Sequence, residues 1–257
     1  MSGSISNTIV TDNLILYVDS ANPSSYSSGS GIWDSMGFGE NFFTLNNGPT
    51  FSNDYAGILT FDGTDDNLSS SQLFNPSIRN GNRPGETPNI DFELTFEIVF
   101  RVLEELNGTM GQIIIFRTNA TSFQIPPACL YRVSVTPVNG LVTTVGYTTT
   151  IGGTQSLTTT NIYNLNEWYH VVLSLRKTSA TTGEWFFMRN GIILAQQTLN
   201  NISWWQNYSS TLTTQGNLIS ASSVLNHDRA IMRLYRKGLT QKEALQNYNA
   251  TKKRFKI

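Results

Sequence analysis

The 257-residue sequence holds one cysteine, Cys129, and two histidines. A single thiol cannot close an intrachain disulfide, which excludes a small disulfide-stapled secreted domain. So few soft ligands also exclude a structural zinc site, and no cofactor is expected. Long hydrophobic runs are missing: the apolar stretches are as short as Ile113–Phe116 and Tyr169–Leu173, so no membrane span is expected. The opening residues, Met-Ser-Gly-Ser-Ile-Ser-Asn-Thr, lack the basic and apolar regions of a signal peptide, so none is expected. Charged side chains are also scarce, at 14% against about 25% in an ordinary globular chain.

Neutral polar residues take their place, with 30 Thr, 26 Ser and 26 Asn. Thr favours strands, whereas Asn and Ser favour turns. With 39% hydrophobic and 11% aromatic residues the chain can fill a core. A near-zero net charge hides a division along the chain. Residues 1–228 carry 8 basic and 17 acidic side chains, a net of −9, whereas residues 229–257 carry 9 basic and one acidic, Glu243, a net of +8.

Period-two alternation marks half-buried strands. It is clearest over 91–102, where Phe92, Leu94, Phe96, Ile98, Phe100 and Val102 alternate with Asp91, Glu93, Thr95, Glu97, Val99 and Arg101. Further strands are expected at 13–18, 57–62, 112–117, 129–136, 141–148, 168–175, 184–189 and 192–198. Asn190-Gly191 and Asn139-Gly140 are hairpin signals, because both residue types tolerate positive φ. One helix is expected over about 241–251. Thr240 and Glu243 form its capping box, and Ala244, Leu245 and Tyr248 form a short apolar stripe. A basic tail, 252–257, follows. No repeat recurs at a solenoid or propeller period. The Pro-, Gly- and Asn-rich stretch 75–90 reads as a loop within one domain. The organisation expected is an N-terminal arm over 1–12 and a single domain over 13–257.

Several blocks, taken in order, resemble one family. They are Leu14–Pro23, Ser25-Tyr26, Gly31–Asp34, Thr44–Phe51, Phe61–Asp66, Asn166–Val172, Phe187–Gly191, Arg233–Tyr235 and the run from Leu239 to Ala250. Together they are similar to concanavalin A-like lectin/glucanase (LamG-like jelly-roll) domains, of the type found in virion structural proteins of tailed phages. The resemblance implies an all-β, two-sheet antiparallel jelly-roll sandwich with a short C-terminal helix. Its last strand would pair back into the sandwich. Two features depart from the family pattern. His227-Asp228-Arg229-Ala230 stands where the family has Gly and an apolar residue, which would make a sheet edge unusually polar. The stretch 72–90 has no clear counterpart.

Some members of this superfamily hydrolyse β-glucans with paired carboxylates. The nearest pair here is Glu93 and Glu97. At about 3.3 Å per residue they would lie roughly 13 Å apart on one strand face, beyond the ~9.5 Å limit of an inverting pair. They read instead as a solvated strand face, and the chain is expected not to be an enzyme. Asp62, Asp65 and Asp66 offer hard oxygen ligands, but they lack a calcium-loop spacing and read as turn residues. His170 and Cys129 read as structural residues.

Trp204, Trp205 and Tyr208, flanked by Asn200, Asn201 and Asn207, fit three roles: packing under a loop, an interface anchor, or stacking on sugar rings. The basic C-terminal residues are too few, and the rest of the chain too acidic, to suggest nucleic acid. Arg229, Arg233, Arg236, Lys237, Lys252, Lys253 and Arg254 are expected to form one patch docking on an acidic partner or neighbouring copy, the alternative being a solvated tail. The function expected is that of a virion structural protein, a capsid decoration or fibre component present in many copies or as a homo-oligomer. The resemblance allows two kinds of partner for its exposed face, other virion proteins or host-surface polysaccharide, and its location would be the virion. A carbohydrate-binding adhesin and, behind it, a glycoside hydrolase are the alternatives.

Overall fold

The computed structural model describes residues 8–37, 42–70, 93–104, 111–117, 129–136, 140–149, 153–200 and 225–257, and between 111 and 162 it describes backbone alone. Fifteen strands are described: β1 (Leu14–Asp19), β2 (Ile32–Asp34), β3 (Phe42–Asn46), β4 (Thr50–Ser52), β5 (Ile58–Asp62), β6 (Asn67–Ser70), β7 (Leu94–Val102), β8 (Gly111–Arg117), β9 (Cys129–Thr136), β10 (Gly140–Thr149), β11 (Gly153–Ile162), β12 (Trp168–Lys177), β13 (Gly183–Arg189), β14 (Ile192–Leu199) and β15 (Asn226–Tyr235). The helix α1 (Gln241–Phe255) closes the described chain.

The largest sheet has eight strands in the order β14-β13-β12-β7-β15-β5-β4, with β1 also paired to β15. Strand β15 is central: one edge pairs with β7, and the other pairs first with β5 and then with β1. A three-stranded sheet, β2-β3-β6, lies across from it, and a four-stranded meander, β11-β10-β9-β8, approaches β14 through β11. All described pairings are antiparallel. The result is the antiparallel jelly-roll-like sandwich that the resemblance implied.

The alternation of β7 decides its packing. Leu94, Phe96, Ile98, Phe100 and Val102 enter the sandwich core with Trp33, Phe43 and Leu68 of the small sheet and Val171, Leu173 and Leu175 of β12. Each such side chain contributes about 1.5–3 kcal/mol by leaving water. The opposite face was expected to be solvated, and the structure corrects this: Thr95, Glu97 and Val99 are fully buried. Helix α1 and the connection before it lie over that face. The Leu239 amide donates to Thr95 Oγ1 at 2.8 Å, and Ser174 Oγ donates to the Leu239 carbonyl at 2.8 Å. Coverage on both faces also explains the nearly uninterrupted apolar run of β12, which is buried from Trp168 to Leu175.

Two local expectations are met. Asn190 (φ 48°) and Gly191 (φ 79°) turn β13 into β14, and the Thr240–Glu243 capping box is complete. The helix itself runs to Phe255 and absorbs part of the expected tail. Lys252, Lys253 and Arg254 sit in its last turn, where cations favour the helix dipole. Phe255 is buried with Trp168, Val99 and Ile231. The stretch 75–90 and the Asn139 side of the second hairpin lie outside the described residues.

Candidate functional site

The buried stripe of α1 is Ala244, Asn247, Thr251 and Phe255, not the Ala244, Leu245, Tyr248 stripe its hydropathy suggested. The polar member, Asn247, is the keystone of a network beneath the helix. Its Nδ2 donates to Glu97 Oε2 at 2.7 Å and to the Tyr235 hydroxyl at 2.9 Å. Its Oδ1 accepts the Val10 amide at 2.8 Å, and the Tyr235 hydroxyl donates to the Val10 carbonyl at 3.1 Å. The described end of the expected N-terminal arm is therefore docked against the helix.

Glu97 also pairs with Arg233 through Oε1, which lies 2.8 Å from His170 Nε2. Burial by itself raises the Glu97 carboxyl, but the Arg233 guanidinium, His170 and Asn247 together outweigh it and hold it at about 2. Burial similarly lowers the Arg233 guanidinium, and the carboxylate of Glu97 more than reverses this. Glu97 is thus an ionised, fully paired and sealed carboxylate. His170 is structural, as its sequence context suggested, and fixes the same carboxylate. No sequence pattern singled out Asn247. The available signal was the spacing 244, 247, 251, 255, which a search for apolar residues alone passes over.

The expected basic patch is corrected. Arg229 and Arg233 are each 2% exposed and contribute nothing to a surface. Arg233 balances Glu97. Arg254 binds Asp19 Oδ1 at 2.6 Å and donates to the carbonyls of Tyr55 and Gly57, both at 2.6 Å. Lys237 pairs with Asp12 at 2.9 Å and Glu243 at 2.6 Å. Arg236 is half-buried, and Lys252 and Lys253 are exposed, with the Lys252 ammonium 5.5 Å from the Tyr248 ring centre. Three of the nine basic side chains of residues 229–257, Arg233, Lys237 and Arg254, are thus paired with acidic residues from earlier in the same chain.

His227-Asp228-Arg229-Ala230 does not form a polar edge either, because β15 is interior and all four residues are buried. Strand alternation puts His227 and Arg229 on one face and Asp228 on the other, and a bulge between Arg229 and Ile231 shifts the alternation so that Met232 shares the face of Arg229. His227 stacks on Phe61 with ring centres 4.8 Å apart, and Arg229 lies 4.9 Å over the same ring. His227 Nδ1 lies 2.6 Å from the Leu225 carbonyl, which makes it the donor, so Nε2 accepts from Arg229 at 3.0 Å. Burial and then the Arg229 charge push His227 down to about 3, and burial brings Arg229 down to about 9. On the other face, Asp228 takes Arg101 Nε at 2.7 Å and the Thr60 hydroxyl at 2.6 Å.

The Asp62 carboxylate accepts the amides of Thr64 (2.7 Å) and Asp65 (3.4 Å), and Asp66 Oδ2 accepts the amide of Asp62 at 2.8 Å. This is the turn chemistry the sequence suggested. Trp204, Trp205 and Tyr208 lie outside the described residues, as does the side chain of Cys129.

No protein-family model and no curated protein matches the sequence. Solved structures do match in fold. The sialidase of Trypanosoma rangeli, in complex with sialic acid, is 14% identical, with a TM-score of 0.56 over 94% of this chain and 33% of its own. The receptor-binding domain of botulinum neurotoxin type G is 10% identical, with a TM-score of 0.55 over 92% of this chain and 51% of its own. The binding domain of Paraclostridial Mosquitocidal Protein 1 is 11% identical, with a TM-score of 0.57 over 92% of this chain and 52% of its own. The chain therefore spans a third to a half of each of these proteins. At such identities the likeness is one of fold, a jelly-roll-like antiparallel β-sandwich.

Proposed function

We propose that this chain is a non-enzymatic, carbohydrate-binding domain and, more specifically, a structural component of a virion that attaches through its sandwich. The observation that carries the binding role is the fold, shared over 92% of the chain with two solved domains whose names state a binding function. The absence of catalysis is supported by the state of Glu97. A glycosidase needs two carboxylates flanking a bond, and here Glu97, one of the nearest pair in the sequence, is sealed beneath α1 and paired with Arg233. The aromatic cluster of Trp204, Trp205 and Tyr208 is the candidate surface for stacking on sugar rings. The virion assignment rests on the order of the phage-type sequence blocks and on the low-charge composition, with other virion proteins and neighbouring copies as its partners.

A glycan array probed with the full chain and with Trp204→Ala and Trp205→Ala tests the binding role. Saturable binding weakened by either substitution supports it, and an array without binding overturns it. Mass spectrometry of purified particles tests the virion role, which absence of the chain from intact particles would refute. Release of reducing sugar from any array ligand would overturn the non-enzymatic reading.

A further inference from the structure

Exposed charge is divided between two surfaces of the molecule. Among the described residues the exposed cations are Lys242, Lys252, Lys253 and Lys256, all on α1 or its C-cap. None of them forms an ion pair among the described residues. Three crowd the end of the helix. Arg254 beside them is matched by Asp19, and Asp54 is the exposed carboxylate next to the Tyr55 carbonyl that Arg254 holds. Three lysines against one carboxylate leave that end positive.

An apolar surface adjoins these lysines. Ile192, 63% exposed, is the one large apolar side chain exposed among the described residues. It follows Gly191, on which two side chains of α1 rest: a Cβ on Gly191 would lie 2.7 Å from Tyr248 Cδ1 and 3.4 Å from Leu245 Cδ1. The Lys252 ammonium, 5.5 Å from the Tyr248 ring centre, joins this surface to the cations. An apolar centre with a charged margin is the anatomy of a protein interface, and Tyr is a frequent anchor there.

The exposed carboxylates of the described residues all lie on the body, between Asp12 and Glu167 in the chain. Four of them share one end of the large sheet. Asp62 ends β5, Asp65 follows it, Glu104 comes after β7 and Glu167 before β12. The register sets these strand ends side by side, with Asn226 opposite Asp62, His227 opposite Val102 and Trp168 opposite Arg101. The described cations at that end are Arg101, matched by Asp228, and the half-buried Arg189 beside the Tyr169 ring. The rim is therefore acidic, the complement of the lysine-edged surface.

We infer that the Ile192–Tyr248 surface, with Lys252, Lys253 and Lys256, docks on the rim of a second copy that carries Asp62, Asp65, Glu104 and Glu167. Each copy offers one surface of each kind, so the contact can repeat from copy to copy. The inference rests on the proposed role in a structure of neighbouring copies and names the surfaces that meet.

Sedimentation velocity of the full chain over a concentration series tests it. The expected result is concentration-dependent association that weakens at about 1 M salt, where the screening length falls to about 3 Å. Lys252→Glu/Lys253→Glu and Asp65→Lys/Glu104→Lys change exposed side chains, and an unfolding midpoint near that of the wild type shows that each folds. Either pair should weaken association about tenfold, as the loss of two surface ion pairs implies. The chain with all four substitutions keeps its net charge and should recover much of the affinity. A wild-type chain that stays monomeric overturns the inference, as does association indifferent to salt, to either pair of substitutions or to their combination. A monomer that binds a sulfated oligosaccharide through Lys252 and Lys253 also overturns it and gives this face to an anionic glycan. A monomeric chain that is nevertheless found in purified particles overturns this contact alone and leaves the virion reading standing.

Discussion

Substituting Glu97→Gln exchanges a buried carboxylate for an amide of nearly the same shape and leaves the Arg233 guanidinium in place at 2% exposure. Removing one partner of a buried ion pair strands the other charge away from water, at about 3–5 kcal/mol. The pH dependence gives an independent magnitude. The carboxyl lies at about 2 in the folded chain against an ordinary 4.5, and at about 1.4 kcal/mol per pH unit this is roughly 3 kcal/mol. Because the folded value is the lower one, the contribution is fully present above pH 4.5 and is lost as pH falls toward 2. Urea unfolding followed by circular dichroism should therefore show two effects. At pH 7 the variant is about 3–5 kcal/mol less stable than the wild type, and between pH 4.5 and 2 the wild type loses more stability than the variant does. The double variant Glu97→Gln/Arg233→Met should recover much of the loss, because the stranded charge is gone. A Glu97→Gln chain within about 1 kcal/mol of wild type at pH 7, with an unchanged acid limb, would refute the reasoning that the buried Glu97–Arg233 pair stabilises the fold beneath α1.

Three further outcomes are expected. His227 is kept neutral in the fold, with its proton affinity depressed to about 3 from an ordinary 6.5, so the unfolded chain takes up the proton first as pH falls. The wild type should lose stability between those pH values, and a His227→Gln chain should lack that part of the acid limb in a urea titration series. Thr240→Ala removes the hydroxyl that accepts the Glu243 amide at 3.2 Å and should cost about 1 kcal/mol, read as a lower urea midpoint. Arg254→Ala cuts three hydrogen bonds that tie the end of α1 to Asp19, Tyr55 and Gly57. It should raise amide exchange in the last turn of the helix ahead of the sheet, whereas Lys253→Ala, at an exposed position, should leave exchange unchanged.

Those residues also mark the limit of reading this chain without its structure. Strands with a clear apolar pattern, the alternating β7 and the nearly continuous apolar run of β12, were legible because their side chains must enter a core. So were the Asn190-Gly191 turn and the Thr240–Glu243 cap, whose chemistry is local. Strand β11 was not, since Gly153–Ile162 is rich in Thr and shows little apolar contrast between its faces. The odd-numbered face of β7 misled for a related reason. Glu97 looks like a solvent-facing residue in any local window, and only the approach of α1, some 150 residues away in sequence, turns it into a buried one. Likewise Arg229 is basic in sequence but interior in space, because the alternation of β15 turns it toward Phe61.

The uneven distribution of charge shows the division most clearly. The sequence by itself determined that residues 229–257 are strongly positive and the preceding chain negative, that the regular structure is mainly strand, and that one capped helix follows the last strand. Tertiary structure alone decided where that charge goes. Arg233 meets Glu97, Arg254 meets Asp19 and Lys237 meets Asp12, so three of the nine basic side chains of that segment are matched by the acidic body, whereas Lys242, Lys252, Lys253 and Lys256 stay exposed. The physical reason is that side-chain periodicity is local, whereas the pairing of charges depends on which strand and which helix face the fold brings together.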